Sequence, residues 1–146
     1  MFLLLMVTHA LSCFFMTGLI WLIQLVHYPS FQYVNPLQFI EFNHFHQKSI
    51  SFIVTPIMFI ELLTGLSLLF LFPQTSIFLM LFCLLVPIWI FTLFLSVPLH
   101  RTLLKGYNSN AIRQLVLTNW LRTSLWSFRS LLIFGILTNE ELLKAL

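Results

Sequence analysis

Four apolar runs, at residues 2–26, 49–72, 75–97 and 118–137, each come close to the length that crosses the hydrocarbon core of a bilayer, and they leave the chain few ways to fold. A helical span needs about 20 predominantly apolar residues. In lipid only helices and closed barrels satisfy their own backbone hydrogen bonds, and the alternating strands of a barrel are missing. The pattern predicts an all-α fold, an integral membrane four-helix bundle over residues 1–146 as one domain, with the lipid bilayer as its partner. Composition agrees: 8% of residues are charged and 60% hydrophobic, against about a quarter charged in a soluble domain.

The net charge of +3 comes from seven basic residues with no basic run, which sets nucleic acid aside. Cys13 and Cys83 lie in apolar runs without CxxC spacing and read as packing residues. The first run lacks a basic n-region and exceeds the roughly 7–15 residues of a signal-peptide core, so it is expected to be retained as a span. The segment Ala10-Leu11-Ser12-Cys13 comes too early for a lipoprotein cleavage site.

Pro73 and Gln74 mark a tight turn that makes the second and third spans antiparallel neighbours. Asn35-Pro36 is a helix-start signal. From there to Phe72 a helix would be about 50 Å long and overshoot a roughly 30 Å core. Asn108-Ser109-Asn110 starts the fourth helix early in the same way, so helices two and four are expected to project beyond one membrane face. Thr138-Asn139-Glu140-Glu141 reads as the cap and first turn of a short helix on the opposite face. Lys48, Arg101, Lys105 and Arg113 lie toward the two longer connections and Lys144 toward the other side. The positive-inside rule then puts the long connections in the cytoplasm and both termini outside, as in a bacterial inner membrane.

Antiparallel alternation gathers His27, His46, His100, Arg101 and Arg122 at one end. Each alone has the bland explanation of a side chain snorkelling to the interface. Together they predict a shared pocket. Glu61 lies roughly 18 Å beyond Ser49, and Arg129 roughly 16 Å beyond Thr118, so the two are expected to pair in the membrane interior. Such a pair can be purely structural. Asn119, Arg122, Trp126 and Arg129 fall on one helical stripe, and Gln24 lies one turn before His27. On helix two, His46 and Glu61 share a face while His44 points elsewhere. The expected lining is Gln24, His27, His46, Glu61, His100, Asn119, Arg122 and Arg129, with Trp126 and Tyr28 as aromatic walls and Arg101 as a further ligand contact. His9, alone in the first span, reads as a packing residue.

No metal is expected: Glu41-Phe42-Asn43-His44 is a single Glu-x-x-His unit, and di-iron bundles use two with more carboxylates. Haem ligation by His27 with His100 or His46, as in an electron-transfer protein, stays open, and the sequence names no cofactor.

The runs His27-Tyr28-Pro29, Phe42-Asn43-His44-Phe45-His46 through Pro56 to Glu61-Leu62, and above all Thr118-Asn119-Trp120-Leu121-Arg122-Thr123 with Trp126 and Arg129, carry a resemblance. The chain resembles a group of small uncharacterised bacterial four-helix membrane proteins similar in layout to the anthrone-oxygenase-like family. The resemblance implies a polar pocket containing Asn119, Arg122 and Arg129, and an aromatic or quinone-like ligand. In such a pocket His27 or His46 would take a proton from an acidic carbon or phenol while Arg122 and His100 stabilise the anion, which oxygen then attacks. An oxygenase-like oxidoreductase is thus the first expectation. Against it stand a binding or transport protein, where transport would require a homo-oligomer because four helices are few for inverted repeats, and an assembly protein whose buried charges only hold its helices together.

Overall fold

The computed structural model describes residues 1–139, and among them the fold is all-helical, with no strand. There are four helices: α1 (Phe2–Tyr33), α2 (Phe39–Leu71), α3 (Ser76–Leu103) and α4 (Ser109–Thr138). The first three are long and apolar enough to cross a membrane. The short helix expected from Glu140 onward lies outside the described residues.

Two helices run further than their apolar stretches, for one reason. Proline cannot donate to the carbonyl four residues back, and its ring collides with that carbonyl. In α1 the collision of Pro29 with Leu25 is absorbed by a π-helical turn at Ile23–His27, and the helix continues through Tyr33. In α3 Pro98 acts on Phe94 in the same way, inside a π turn at Thr92–Ser96. Both π turns end two residues before their proline. The apolar run of α1 stops near Val26 and that of α3 near Val97, but the helices carry His27, Tyr28 and His100 another turn.

Helix α2 begins at Phe39, later than Asn35-Pro36 suggests. The Asn35 side chain accepts the Leu37 N–H at 3.0 Å and its carbonyl accepts the Gln38 N–H, so these residues form a turn and not a first helical turn. Helix α4 does start early, with Asn108 capping the Ala111 N–H at 2.9 Å. Before it, Gly106 holds φ 143°, a conformation that only glycine adopts readily.

Each helix packs on its neighbours in the ring α1, α2, α3, α4. Phe2 meets Phe72 edge-on at one end (4.9 Å between centroids) and Phe39 meets Tyr107 at the other (5.3 Å), which fixes the up-and-down course. The α1–α4 seam uses small residues that let backbones approach: Thr17 Oγ1 lies 2.6 Å from Ser130 Oγ, and Cys13 is buried beside it. Cys83 is exposed.

Helix α4 has its polarity inverted relative to a helix in water. Asn119, Arg122, Thr123, Arg129 and Ser130 are buried, while Leu117, Trp120, Leu121, Phe128, Leu131 and Phe134 are exposed. Much of its polarity within residues 117–134 thus lies in residues it hides. The exposed cations Lys48, Arg101, Lys105 and Arg113 all lie toward the end that carries the connections at 34–38 and 104–108.

Candidate functional site

The structure divides the polar residues into two clusters. The deeper one centres on Glu61 and Arg129, both fully buried and in direct contact through Oε1 and Nη1. The other carboxylate oxygen accepts Trp126 Nε1–H at 3.1 Å. Arg129 Nε donates to the Leu81 carbonyl at 3.1 Å, and Nη2 donates to His9 Nε2 at 3.2 Å. Because arginine can only donate, His9 accepts at Nε2 and carries its proton on Nδ1, which donates to Thr64 Oγ1 at 3.0 Å. Thr64 passes its own hydrogen to the Ile60 carbonyl. Gly65 makes room for the imidazole, since a Cβ there would stand 3.2 Å from His9 Cε1. His9 is therefore packed and satisfied, and it is also a member of the ion-pair network. Counting from the end that holds Met1 would have found it: His9, Glu61 and Arg129 all lie two to three turns in from there.

The second cluster lies where the π turns bring α1 and α3 toward α2 and α4. Arg122 donates through Nη2 to Asn119 Oδ1 and to Tyr28 Oη (3.4 Å), and through Nη1 to Thr92 Oγ1 (3.4 Å). Asn119 is held in turn by Gln24, whose Oε1 accepts its Nδ2–H at 2.8 Å and whose Nε2 donates to the Val116 carbonyl. Tyr28 Oη lies 3.1 Å from His100 Nε2. The hydroxyl accepts from Arg122 and shares a further hydrogen bond with Nε2 whose direction follows the His100 tautomer. His27 Nε2 and His46 Nδ1 share a hydrogen bond of 2.6 Å.

A cavity of about 350 Å³ opens beside this network. Tyr28, Thr92, Ser96, His100 and Arg122 form its polar end, and Met16, Ile20, Val54, Met58 and Trp126 are among its apolar walls. Its rim lies between α2 and α3, at the exposed residues Ser51, Thr55, Phe59 and Leu93. Three of the lining residues also have a nitrogen enclosed by protein with no hydrogen-bond partner among the described residues: Trp89 Nε1, His100 Nδ1 and Arg122 Nε. Arg122, 5% exposed, also has no carboxylate partner among them.

Of the expected lining, Tyr28, His100, Arg122 and Trp126 do face this cavity. Gln24 and Asn119 stand behind it and orient Arg122. His27 and His46 line a smaller cavity of about 200 Å³ on the far side of Ile23 and Ile50, which border both. Glu61 and Arg129 belong to the deeper network. Arg101 is exposed and not brought into either cluster, and Glu41 and His44 are exposed as well. The rings of His27 and His46 touch, with centroids 4.4 Å apart, so no macrocycle fits between them in this arrangement. Asn43, fully buried with both side-chain atoms unpartnered among the described residues, and Trp89 were not among the expected site residues. The spacing of Trp89, Thr92, Ser96 and His100, one stripe of α3, carried a signal for the latter.

Comparison of the chain with protein-family models, with curated proteins and with solved structures finds no match.

Proposed function

We propose that this chain is an integral membrane four-helix bundle whose α2–α3 cavity binds a small amphipathic molecule of aromatic or quinone-like kind. The observation that carries the reading is the polar end of this cavity, where the Arg122 guanidinium, without a carboxylate partner among the described residues, stands with Tyr28, Thr92, Ser96 and His100 against largely apolar walls. A few polar groups converging on a largely apolar cavity of ligand size are the usual composition of a binding site, and a buried cation without a counter-charge is costly. The reading puts α4 across the membrane too, because its exposed face is apolar over Leu117–Phe134 and its charges point inward. The exposed cations favour cytoplasmic long connections, with both termini outside.

Any oxidoreductase chemistry belongs to the Tyr28, His100 and Arg122 end, where a ligand oxygen would meet a hydroxyl, an imidazole and a guanidinium. His27 and His46 are one wall removed and would act by supporting that end. Binding is tested by titrating the detergent-purified protein with menadione or a hydroxyanthraquinone while following tryptophan emission, since Trp89 and Trp126 both line the cavity. Saturable quenching that disappears in Met58→Trp, which fills the cavity, is expected. Quenching that stays linear with ligand would sink the proposal.

A further inference from the structure

Three imidazoles from three helices lie in series at the end that carries the long connections. His46 of α2 stands between the other two: its ring centroid is 4.4 Å from that of His27 on α1 and 5.6 Å from that of His100 on α3. His27 Nε2 and His46 Nδ1 are bonded at 2.6 Å, and His100 Nε2 meets Tyr28 Oη at 3.1 Å. One nitrogen on each ring is left. His46 Nε2 and His100 Nδ1 are enclosed by protein without a partner among the described residues, whereas His27 Nδ1, on a half-buried side chain, is not enclosed. Gln47 Nε2 donates to the His100 carbonyl at 2.9 Å and ties α2 to α3 beside the rings.

Each ring lies just past the apolar run of its helix, so one end of the series meets the water boundary while the other, through His100 and Tyr28, lines the cavity. The cavity's own rim opens among Phe59 and Leu93 onto an apolar outer surface, where a bilayer offers no water to carry a proton. Imidazole can supply the route, since it accepts a proton at one nitrogen while releasing one from the other. With hydrogens on the three Nδ1 atoms, a ligand hydroxyl gives its proton to Tyr28 Oη as Tyr28 passes its own to His100 Nε2. His100 then releases its Nδ1 proton to His46 Nε2, His46 releases its Nδ1 proton to His27 Nε2, and His27 releases its own to water. At every transfer one O–H or N–H bond forms as another breaks, and no electron moves. Each ring ends with its hydrogen on Nε2, ready for the reverse passage, and the bonds His27–His46 and Tyr28–His100 are satisfied in both states. Only the His46–His100 step lacks a bond, and turning an imidazole about χ2, a broad torsion, is the movement that closes it. The other titratable or charged groups facing the series are Tyr28 and Arg122, while His44, Lys48 and Arg101 are exposed. Arg122 favours the anion that the ligand becomes.

We infer that His100, His46 and His27 form a proton path between water and a ligand hydroxyl in the cavity, which rests on the cavity being the binding site proposed above. The experiment uses the full chain in phosphatidylcholine nanodiscs with alizarin, a hydroxyanthraquinone whose absorption changes on protonation, at a pH where the bound dye is ionised. A laser flash frees protons in the water from caged sulfate, and Met58→Trp gives the signal of dye outside the cavity. His46→Phe, which keeps an aromatic ring against Phe31, should slow protonation of the bound dye about tenfold or more without changing its dissociation constant. His27→Ala should slow it as well. Free imidazole in solution should restore the rate in His27→Ala, at the half-buried ring, and not in His46→Phe, where the ring is enclosed.

An unchanged rate in His46→Phe, with the dye bound as in the parent, would overturn the path and leave the binding site standing. A loss in His27→Ala that imidazole does not restore would make that ring a packing element and overturn the path too. Failure of alizarin to saturate in the parent would remove the site itself, and the path with it. Should His46→Phe not fold, the imidazole rescue of His27→Ala decides.

Discussion

Two arginines on one stripe of α4, seven residues apart and both buried, live in opposite circumstances. Around Arg129 the accounting closes: Glu61 supplies the counter-charge, Trp126, His9, Thr64 and a backbone carbonyl take up the remaining polar atoms, and Gly65 leaves the space they need. Around Arg122 it does not close. The guanidinium has hydroxyl and amide partners but no carboxylate, and its Nε, like His100 Nδ1 and Trp89 Nε1 nearby, has no hydrogen-bond partner among the described residues. The difference teaches how to separate structure from function inside a membrane. A polar group that the protein satisfies completely is accounted for by holding helices in register, and a cation satisfied only in part beside a cavity is where a ligand is to be sought.

Removing the counter-charge should have the largest effect. In Glu61→Gln, Arg129 is left as an uncompensated buried cation, and unfolding of the purified protein by sodium dodecyl sulfate should show a loss of about 3–5 kcal/mol. The double replacement Glu61→Leu with Arg129→Leu should regain most of that loss, because an apolar pair carries no unpaired charge. A single variant as stable as the parent would show that the deep pair is not holding the helices.

Next in size is Gly65→Ala, whose new methyl group would press on His9. Overpacking of this kind costs about 1–3 kcal/mol, and adding His9→Ala to it should cost less than the two separate losses combined. Strict additivity in that double-mutant cycle would mean the imidazole and the glycine are not coupled.

Asn43→Leu should shift stability the other way. Its side-chain amide is buried without a partner among the described residues, so an apolar side chain of similar size should gain up to about 1 kcal/mol. A loss of more than that would instead show that a water or ligand serves the amide.

The smallest shift sharpens the comparison most. In Arg122→Met the relief of an unbalanced buried charge is offset by lost bonds to Tyr28, Thr92 and Asn119, and stability should stay within about 1 kcal/mol of the parent. Arg129→Met should lose several times as much. If the same titration finds the two variants equally damaged, the distinction between a closed and an open cluster fails.

Much of the architecture was legible beforehand. Apolar run lengths predict helices, Pro73-Gln74 predicts the tight α2–α3 turn, and Asn108 predicts the start of α4, all because bilayer thickness and capping chemistry act locally. The extent of α1 and α3 was not legible. Hydropathy closes their runs near Val26 and Val97, and whether the proline that follows ends a helix or is absorbed by a π turn depends on the neighbouring helices that hold the continuation in place.

The residue types at the site were visible as improbable polar groups in hydrocarbon, and depth put Glu61 and Arg129 at one level. Their division into two clusters was not visible. Helical phase assigned Gln24, His27, His46, Glu61, Asn119 and Arg129 to a single lining, because phase says which side of a helix a residue occupies but not which neighbour it meets there. His9, Asn43 and Trp89 escaped for the same reason: each becomes informative only through a partner, or the lack of one, on another helix.

The sequence by itself therefore determined the class of the fold, the number and course of the helices, and the presence of costly polar groups near one end and in the interior. Those follow from transfer free energies and chain-local hydrogen bonding. Only the tertiary structure decided which polar groups are satisfied, since a hydrogen bond between Tyr28 and His100 or between Trp126 and Glu61 requires atoms 65 or more residues apart to meet within about 3 Å. That geometry, and not composition, separates the arginine that holds the helices from the arginine left facing a cavity.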